Sequence, residues 1–261
     1  MSKPITSKNL RKLNLIAAGL HAVQALAVFL LSDPGHGVWS VTANYLTLSP
    51  GSTAGRPVLV SASHQVFNVN LAYLVVAFFV MSSIAHLFVA TIYRKRYETN
   101  LRQGINKVRW IEYSLSASTM LVGIALLSGL YDLGSLVMIF GLTAIMNLMG
   151  LAMETYNQGR AKTGWLAYNI GAFAGILPWI VIGLLFWAGS KYGTGHPPTF
   201  VYFIYASIFI FFNCFAINMI LQYKKLGKWL NYLYGERVYI ILSLLAKSAL
   251  AWQVFAGTLR P

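Results

Sequence analysis

Residues 239–257 read YIILSLLAKSALAWQVFAG, an apolar run with one lysine, Lys247, at its middle. The run is long enough to cross a hydrocarbon core of roughly 30 Å. A lysine at mid-span costs about 2.5–3.5 kcal/mol on insertion scales, and ions inside membranes are usually paired and functional. Snorkelling is the ordinary escape for such a side chain. Here Lys247 lies about ten residues from either end, or about 15 Å at 1.5 Å per residue, and its stem does not reach water unaided.

Six further apolar runs accompany this one. The 261 residues are 57% hydrophobic and only 10% charged, where a soluble domain carries about 25% charged residues. Hydropathy places spans near 11–31, 67–93, 108–131, 133–156, 164–190, 199–222 and 238–257. Turn-forming stretches separate several of them: SDPGHG, LSPGSTAGRP, YDLG and GTGHPP. The expected fold is an all-α membrane protein, a seven-transmembrane-helix bundle forming a single domain over residues 1–261. No sequence repeat suggests an inverted-repeat transporter. The one cysteine, Cys214, sits inside a span, so no intrachain disulfide can form. The first run, Leu13 to Leu31, is long enough to span and has no clear cleavage site, which argues against a removable signal.

The net charge of +14 raises the question of nucleic acid. The basic residues sit in short loops instead, which is the signature of membrane topology. Sixteen lie on one side of the seven spans, among them Lys3, Lys8, Arg94, Arg96, Arg160, Lys224 and Lys228, against Arg56, Lys191 and Arg260 on the other. The positive-inside rule therefore puts the N-terminus in the cytoplasm and the C-terminus outside, the reverse of a G-protein-coupled receptor or an ordinary microbial rhodopsin. The basic loops could also dock a cytoplasmic signalling partner, although touching anionic lipid is the plainer reading. Between spans one and two, residues 32–66 hold two stretches rich in β-branched residues, VWSVTANYLTL and RPVLVSASHQV, flanking SPGSTAG. They predict a short extracellular β-hairpin. An isolated hairpin is marginal, so it should pack on its own spans or on a second subunit.

A buried ammonium needs a partner, and the spans hold few acids. Asp33 and Asp132 fall at outer ends, Glu98 and Glu236 in inner connections, and Glu154 near the inner end of span four, where water would explain it. Glu112, in VRWIEYSLSAS, remains. Helix side chains tilt toward the N-terminus, so the Lys247 stem points toward the level of Glu112. Ser243 and Ser116 lie one turn from Lys247 and Glu112 on the same faces. A structural ion pair is the bland reading, and buried pairs often stabilise little. The sharper reading is chemical. A desolvated lysine has a lowered pKa and forms Schiff bases with aldehydes; the protonated product is a permanent cation that needs one carboxylate. The natural apolar aldehyde is retinal. Phe209, Phe212 and Phe215 on span six, Tyr113 and Met120 on span three, and Met146 and Asn147 on span four are candidates for its pocket, although such stripes more often face lipid or core.

RWIEYSLSAS on span three and ERVYIILSLLAKSALAWQVFAGTL on span seven resemble the heliorhodopsins, and with the inverted spans and outer hairpin the resemblance covers essentially the whole chain. It implies that Lys247 carries all-trans retinal as a Schiff base and that Glu112 is its counter-ion, with Ser243 and Ser116 bonding near the pair. His21, His86, Ser82 and Arg109 would form an inner proton-accepting or polar cluster. The resemblance further implies a homodimer in the cell membrane and a slow photocycle without ion transport. Span residues beyond Glu112 toward the outside include no carboxylate, so a relay for pumping is missing. A photosensor is the favoured reading. A light-gated proton channel or weak transporter, and a non-retinal membrane carrier, are the alternatives. No metal motif, nucleotide loop or hydrolytic triad suggests an enzyme.

Overall fold

In lipid a chain must satisfy every backbone N–H and C=O within the spanning segment or a closed barrel, and the apolar runs of this chain become helices. The computed structural model describes residues 5–194 and 198–261; Lys3 and His196 lie outside them. Seven described helices are long and apolar enough to cross a membrane. They are α1 (Ser7–Leu31), α2 (Leu71–Ala90), α4 (Lys107–Leu127), α5 (Leu133–Tyr156), α6 (Leu166–Tyr192), α7 (Thr199–Tyr223) and α8 (Tyr232–Val254), the last prolonged by a π-turn over Phe255–Leu259. A further helix, α3 (Arg94–Arg102), lies between the second and third spans. The spans from α1 to α6 pack side by side in order, α7 packs on α8, and α8 packs on α1. Trp179 of α6 meets Tyr205, Phe209 and Phe212 of α7 edge-on, joining those two helices by aromatic contacts.

Side-chain amides and carboxylates start most of the spans. Asn70, Asn106, Asp132 and Asn231 each accept a hydrogen bond from a backbone N–H in the first turn of the helix that follows, replacing partners those groups would otherwise lack. The cap at Asn231 begins α8 at Tyr232 rather than near residue 238. Glu236, expected in a connection, therefore stands inside the helix.

The hairpin is present, with β1 (Val38–Leu48) paired antiparallel to β2 (Leu59–Asn70). The second strand extends to Asn70, past the expected limit at residue 66, and α2 begins later than the expected residue 67. A bulge between Val41 and Thr42 re-aims the strand onto the bundle. Val41 is fully buried, the Thr42 N–H donates to Tyr131 O at 2.9 Å, and Trp39 stacks on Tyr131 with centroids 5.3 Å apart. The hairpin is thus fastened to the α4–α5 turn, while its far half exposes Leu46, Leu48 and Leu59. By its charge the α3 segment reads as one of the basic loops, yet it is helical. Its sequence lacks Gly and Pro, pairs Arg94 with Glu98 at i,i+4, and turns Tyr97 and Leu101 into an apolar cluster with Leu10, Val89 and Ile240.

The end of the bundle that carries the N-terminus, the basic end, has a buried ionic clasp. Arg109 of α4 bonds Glu154 of α5 and Glu236 of α8. The two glutamates are only 2% and 1% exposed, so water does not account for Glu154, and Glu236 is not a surface residue. Asn106 donates its backbone N–H to Glu154 at 2.9 Å and its amide to Glu236 at 2.7 Å. Trp110 and Tyr232 donate to Glu154 at 2.7 and 2.9 Å, and Tyr97 of α3 donates to Glu236 at 3.1 Å. A Cβ at Gly150, one turn before Glu154, would fall 2.4 Å from the Trp110 ring; the glycine leaves room for the indole. Removing one partner of a buried pair costs about 3–5 kcal/mol because the other charge is stranded. Arg109→Gln should therefore lower the melting temperature of the detergent-solubilised protein sharply, whereas Arg94→Gln, at an exposed pair, should change it little. Thermal unfolding followed by far-ultraviolet circular dichroism compares them, and equal melting curves would show that the clasp holds nothing together.

Candidate functional site

The site forms where α4 and α8 face each other beneath the clasp. On α8 the buried residues Glu236, Tyr239, Ser243, Lys247, Leu250 and Val254 share one stripe, and on α4 Arg109, Glu112, Ser116 and Met120 share another, as helical periodicity requires. Lys247 Nζ lies 3.2 Å from Glu112 Oε1 and 2.8 Å from Ser243 Oγ, to both of which it donates. Lys247 and Glu112 are 3% and 7% exposed. The ammonium also sits 5.1 Å from the centre of the Tyr113 ring, a cation–π contact. Tyr113 is fixed in turn, its hydroxyl donating to the Tyr239 carbonyl at 3.0 Å.

The second partner of the carboxylate departs from expectation. Ser82 of α2 donates to Glu112 Oε1 at 2.6 Å. Ser116 is fully buried, but its hydroxyl has no hydrogen-bond partner among the described residues. The reason is one of geometry: sharing a helix face brings Ser116 near Glu112, but the hydroxyl that bonds the carboxylate comes from the neighbouring α2, onto the same Oε1 that accepts from Lys247. His21 and His86 stack with centroids 5.6 Å apart, and His86 Nδ1 is 2.7 Å from Asn14 Oδ1. His21 is completely buried, and neither ring nitrogen has a partner among the described residues. Arg109, expected among these histidines, is instead engaged by the two clasp glutamates. It meets the His86 side only across a small cavity that Asn14, His86, Arg109, Glu112 and Glu236 line together.

On the other side of Lys247 opens an apolar cavity of about 120 Å³. Of the seven residues expected to form a pocket, Tyr113, Met120, Met146, Asn147, Phe212 and Phe215 line it. Phe209 does not; its ring packs on Trp179 and Tyr205, because its position on α7 points toward α6. Trp110, Met149, Tyr168 and Gly171 also line the space. Met149 shares its helix with the expected Met146 and Asn147, whereas Trp110 and Tyr168 are bulky residues whose roles no local motif announces. A Cβ at Gly175 would fall 2.2 Å from the Met146 sulfur, so that glycine admits Met146 to the wall.

These residues fit an elongated apolar aldehyde. The walls are aromatic and thioether groups, the polar atoms are few, and one amine enters from the end nearest Glu112. Small-molecule sites are usually of this kind, mostly apolar with a few placed polar groups. The chemistry of the donor set adds to the fit, since a desolvated lysine is the side chain that condenses with carbonyls.

The comparisons with known proteins bear on the same point. No curated protein matches the chain in sequence. In structure it is similar to a light-driven proton pump of Leptosphaeria maculans, with a TM-score of 0.57 and 15% identity over 97% of this chain and 95% of that one. That likeness shows a rhodopsin-like fold. The heliorhodopsin family model matches residues 10–259. With Lys247 at the end of an apolar cavity and Glu112 beside it, the chain belongs to the heliorhodopsin family, and is a multi-pass membrane protein of the retinal photoreceptor type.

Proposed function

We propose that this protein is a photosensor in which Lys247 carries all-trans retinal, Glu112 is the counter-ion, and illumination drives a slow cycle without net ion transport. When bound, retinal supplies the visible absorption and, as a protonated Schiff base on Lys247, a fixed cation within the bundle. The observation that carries the reading is the 3.2 Å approach of Lys247 Nζ to Glu112 Oε1 at the head of the apolar cavity. Ser243 orients the nitrogen, Ser82 holds the carboxylate, and Tyr113 lies against the cation. Met146, Phe212 and Phe215 exclude water from the far side.

The arrangement of titratable groups supports a closed cycle. Toward the hairpin end, Lys247 is followed by Met120, Leu121, Ile124, Leu250, Ala251 and Val254. The nearest carboxylates on that side are Asp33 and Asp132, at the ends of helices. Ser135 donates its N–H and its hydroxyl to Asp132, which holds that carboxyl below its ordinary range. Ser207 and Gln253 bond each other between α7 and α8, but neither titrates. Every other acid and histidine near Lys247 lies toward the basic end. A proton leaving the nitrogen therefore finds acceptors on one side and returns from that side.

The basic end faces the cytoplasm in this reading, from the positive-inside rule, and the hairpin and C-terminus face out. A homodimer in the cell membrane and an unidentified cytoplasmic signalling partner complete it.

Four measurements test these points. Retinal added to the wild type should give a visible band that Lys247→Ala lacks while still inserting; a band that survives with a Schiff-base signature would refute the linkage. Glu112→Gln should either shift the band to the red or deprotonate the nitrogen and shift it to the blue, and an unmoved spectrum would exclude Glu112 as the main counter-ion. An impermeant label should reach a tag placed after Pro261 on intact cells and miss one placed before Met1; the opposite pattern overturns the orientation. Illuminated cells should show no sustained protonophore-sensitive change of external pH and no steady current under voltage clamp. The first result would make the protein a pump, and a current that reverses with voltage would make it a channel.

A further inference from the structure

We infer that Glu236 is the group that stores the proton released from Lys247, reached through one water held between the two buried charge clusters. The inference rests on the photosensor reading above and names the destination that reading leaves open.

The geometry begins with a cavity of about 20 Å³ lined by Asn14, His86, Asn106, Arg109, Glu112 and Glu236. A water needs about 10–15 Å³ of such space and two to four polar partners, so the cavity suits one water and offers it both carboxylates. Glu112 belongs to the Lys247 site and Glu236 to the clasp. The cavity is where the two meet.

Which clasp carboxylate takes the proton follows from a count of donors. Glu154 accepts from Arg109 and Tyr232 on Oε1, and from the Asn106 N–H and the Trp110 Nε1–H on Oε2. Three of those four donors have no acceptor capacity, so Glu154 has no room for a proton and stays ionised. Glu236 accepts from Asn106 and Tyr97 on Oε1 and from Arg109 alone on Oε2. One oxygen keeps a free lone pair, and the Tyr97 hydroxyl can turn and accept. The Tyr97 oxygen already serves as an acceptor, for the Asn14 amide at 3.4 Å. His21 is the poorer destination. Protonated His21 would carry two buried N–H groups with no partner among the described residues, and such groups are costly.

Charge balances along the path. With Arg109, Glu154 and Glu236 ionised, the clasp carries one unmatched negative charge in a dry interior, which favours taking up a proton. The proton on the Lys247 nitrogen passes to Glu112. Glu112 gives a proton to the cavity water, and the water gives one of its own to Glu236. The nitrogen ends neutral, Glu112 is a carboxylate again, the water is unchanged, and Glu236 is a neutral acid. The unmatched negative charge has moved from the clasp to Glu112, where Ser82 bonds it. No proton leaves the protein, and the reverse path resets it.

Infrared difference spectroscopy on the full-length, retinal-loaded protein tests this. On illumination the wild type should gain a carboxylic-acid C=O band that moves in D₂O. The band should vanish in Glu236→Gln, persist in Glu154→Gln and shift in Glu236→Asp. A band that survives unchanged in Glu236→Gln, or its absence from the wild type while the nitrogen deprotonates, would overturn the inference. If Glu236→Gln does not fold, Glu236→Asp decides alone: an unshifted band counts against Glu236. A protein that never gains a visible band with retinal would instead fail the photosensor reading itself.

Discussion

An ammonium and a carboxylate, 3.2 Å apart and almost wholly removed from water, set the terms for the rest of this bundle. Each ion alone would be expensive at that depth. Together they are tolerable when neighbouring groups bond the charges. Ser243, Ser82 and the face of Tyr113 do so from three directions. The helices carrying them must hold their rotations within a narrow range. In lipid no hydrophobic force between helices does this, so packing and interhelical hydrogen bonds must. The Tyr113–Tyr239 bond, which ties α4 to α8 beside the pair, is one such restraint.

The clasp at the basic end is the second restraint. It gathers α4, α5, α8 and the short α3 around one arginine, and it lies on the same stripes of α4 and α8 as the Lys247 pair. The hairpin end is built differently. Its core is aliphatic and aromatic, and a backbone bond fastens the hairpin to the α4–α5 turn. Titratable groups thus gather on one side of Lys247 and are sparse on the other. The proposed absence of transport rests on this asymmetry, and it follows from where a few side chains stand rather than from any single motif.

The proposed photosensor reading connects these parts. Charge lost from the Lys247 nitrogen alters the field at Glu112, the cavity joins Glu112 to the clasp, and Tyr97 joins the clasp to α3 at the membrane surface. A buried charge rearrangement would then be felt at a basic surface helix through hydrogen bonds alone. Charge-assisted bonds are about twice as strong as neutral ones, so neutralising Glu236 weakens the hold on Tyr97.

Much of this was legible in the order of residues. Seven apolar runs, the hairpin and the lysine at mid-span need only composition and period, because lipid permits few alternatives for the backbone. The partnership of Glu112 with Lys247 follows from scarcity, since few acids occur inside the spans. Other features were present as periodic signals but lacked a reason to be read. Asn14 lies two turns before His21 on the buried face of α1, and Glu236 two turns before Ser243 on that of α8. Tertiary structure alone decided the remainder. Whether Glu154 and Glu236 meet water or Arg109 depends on how four helices converge. Whether Ser116 or Ser82 serves Glu112 depends on the rotation of α2, and whether Phe209 faces the cavity depends on the rotation of α7. A helix's own sequence sets which residues share a face, but its neighbours set what that face meets.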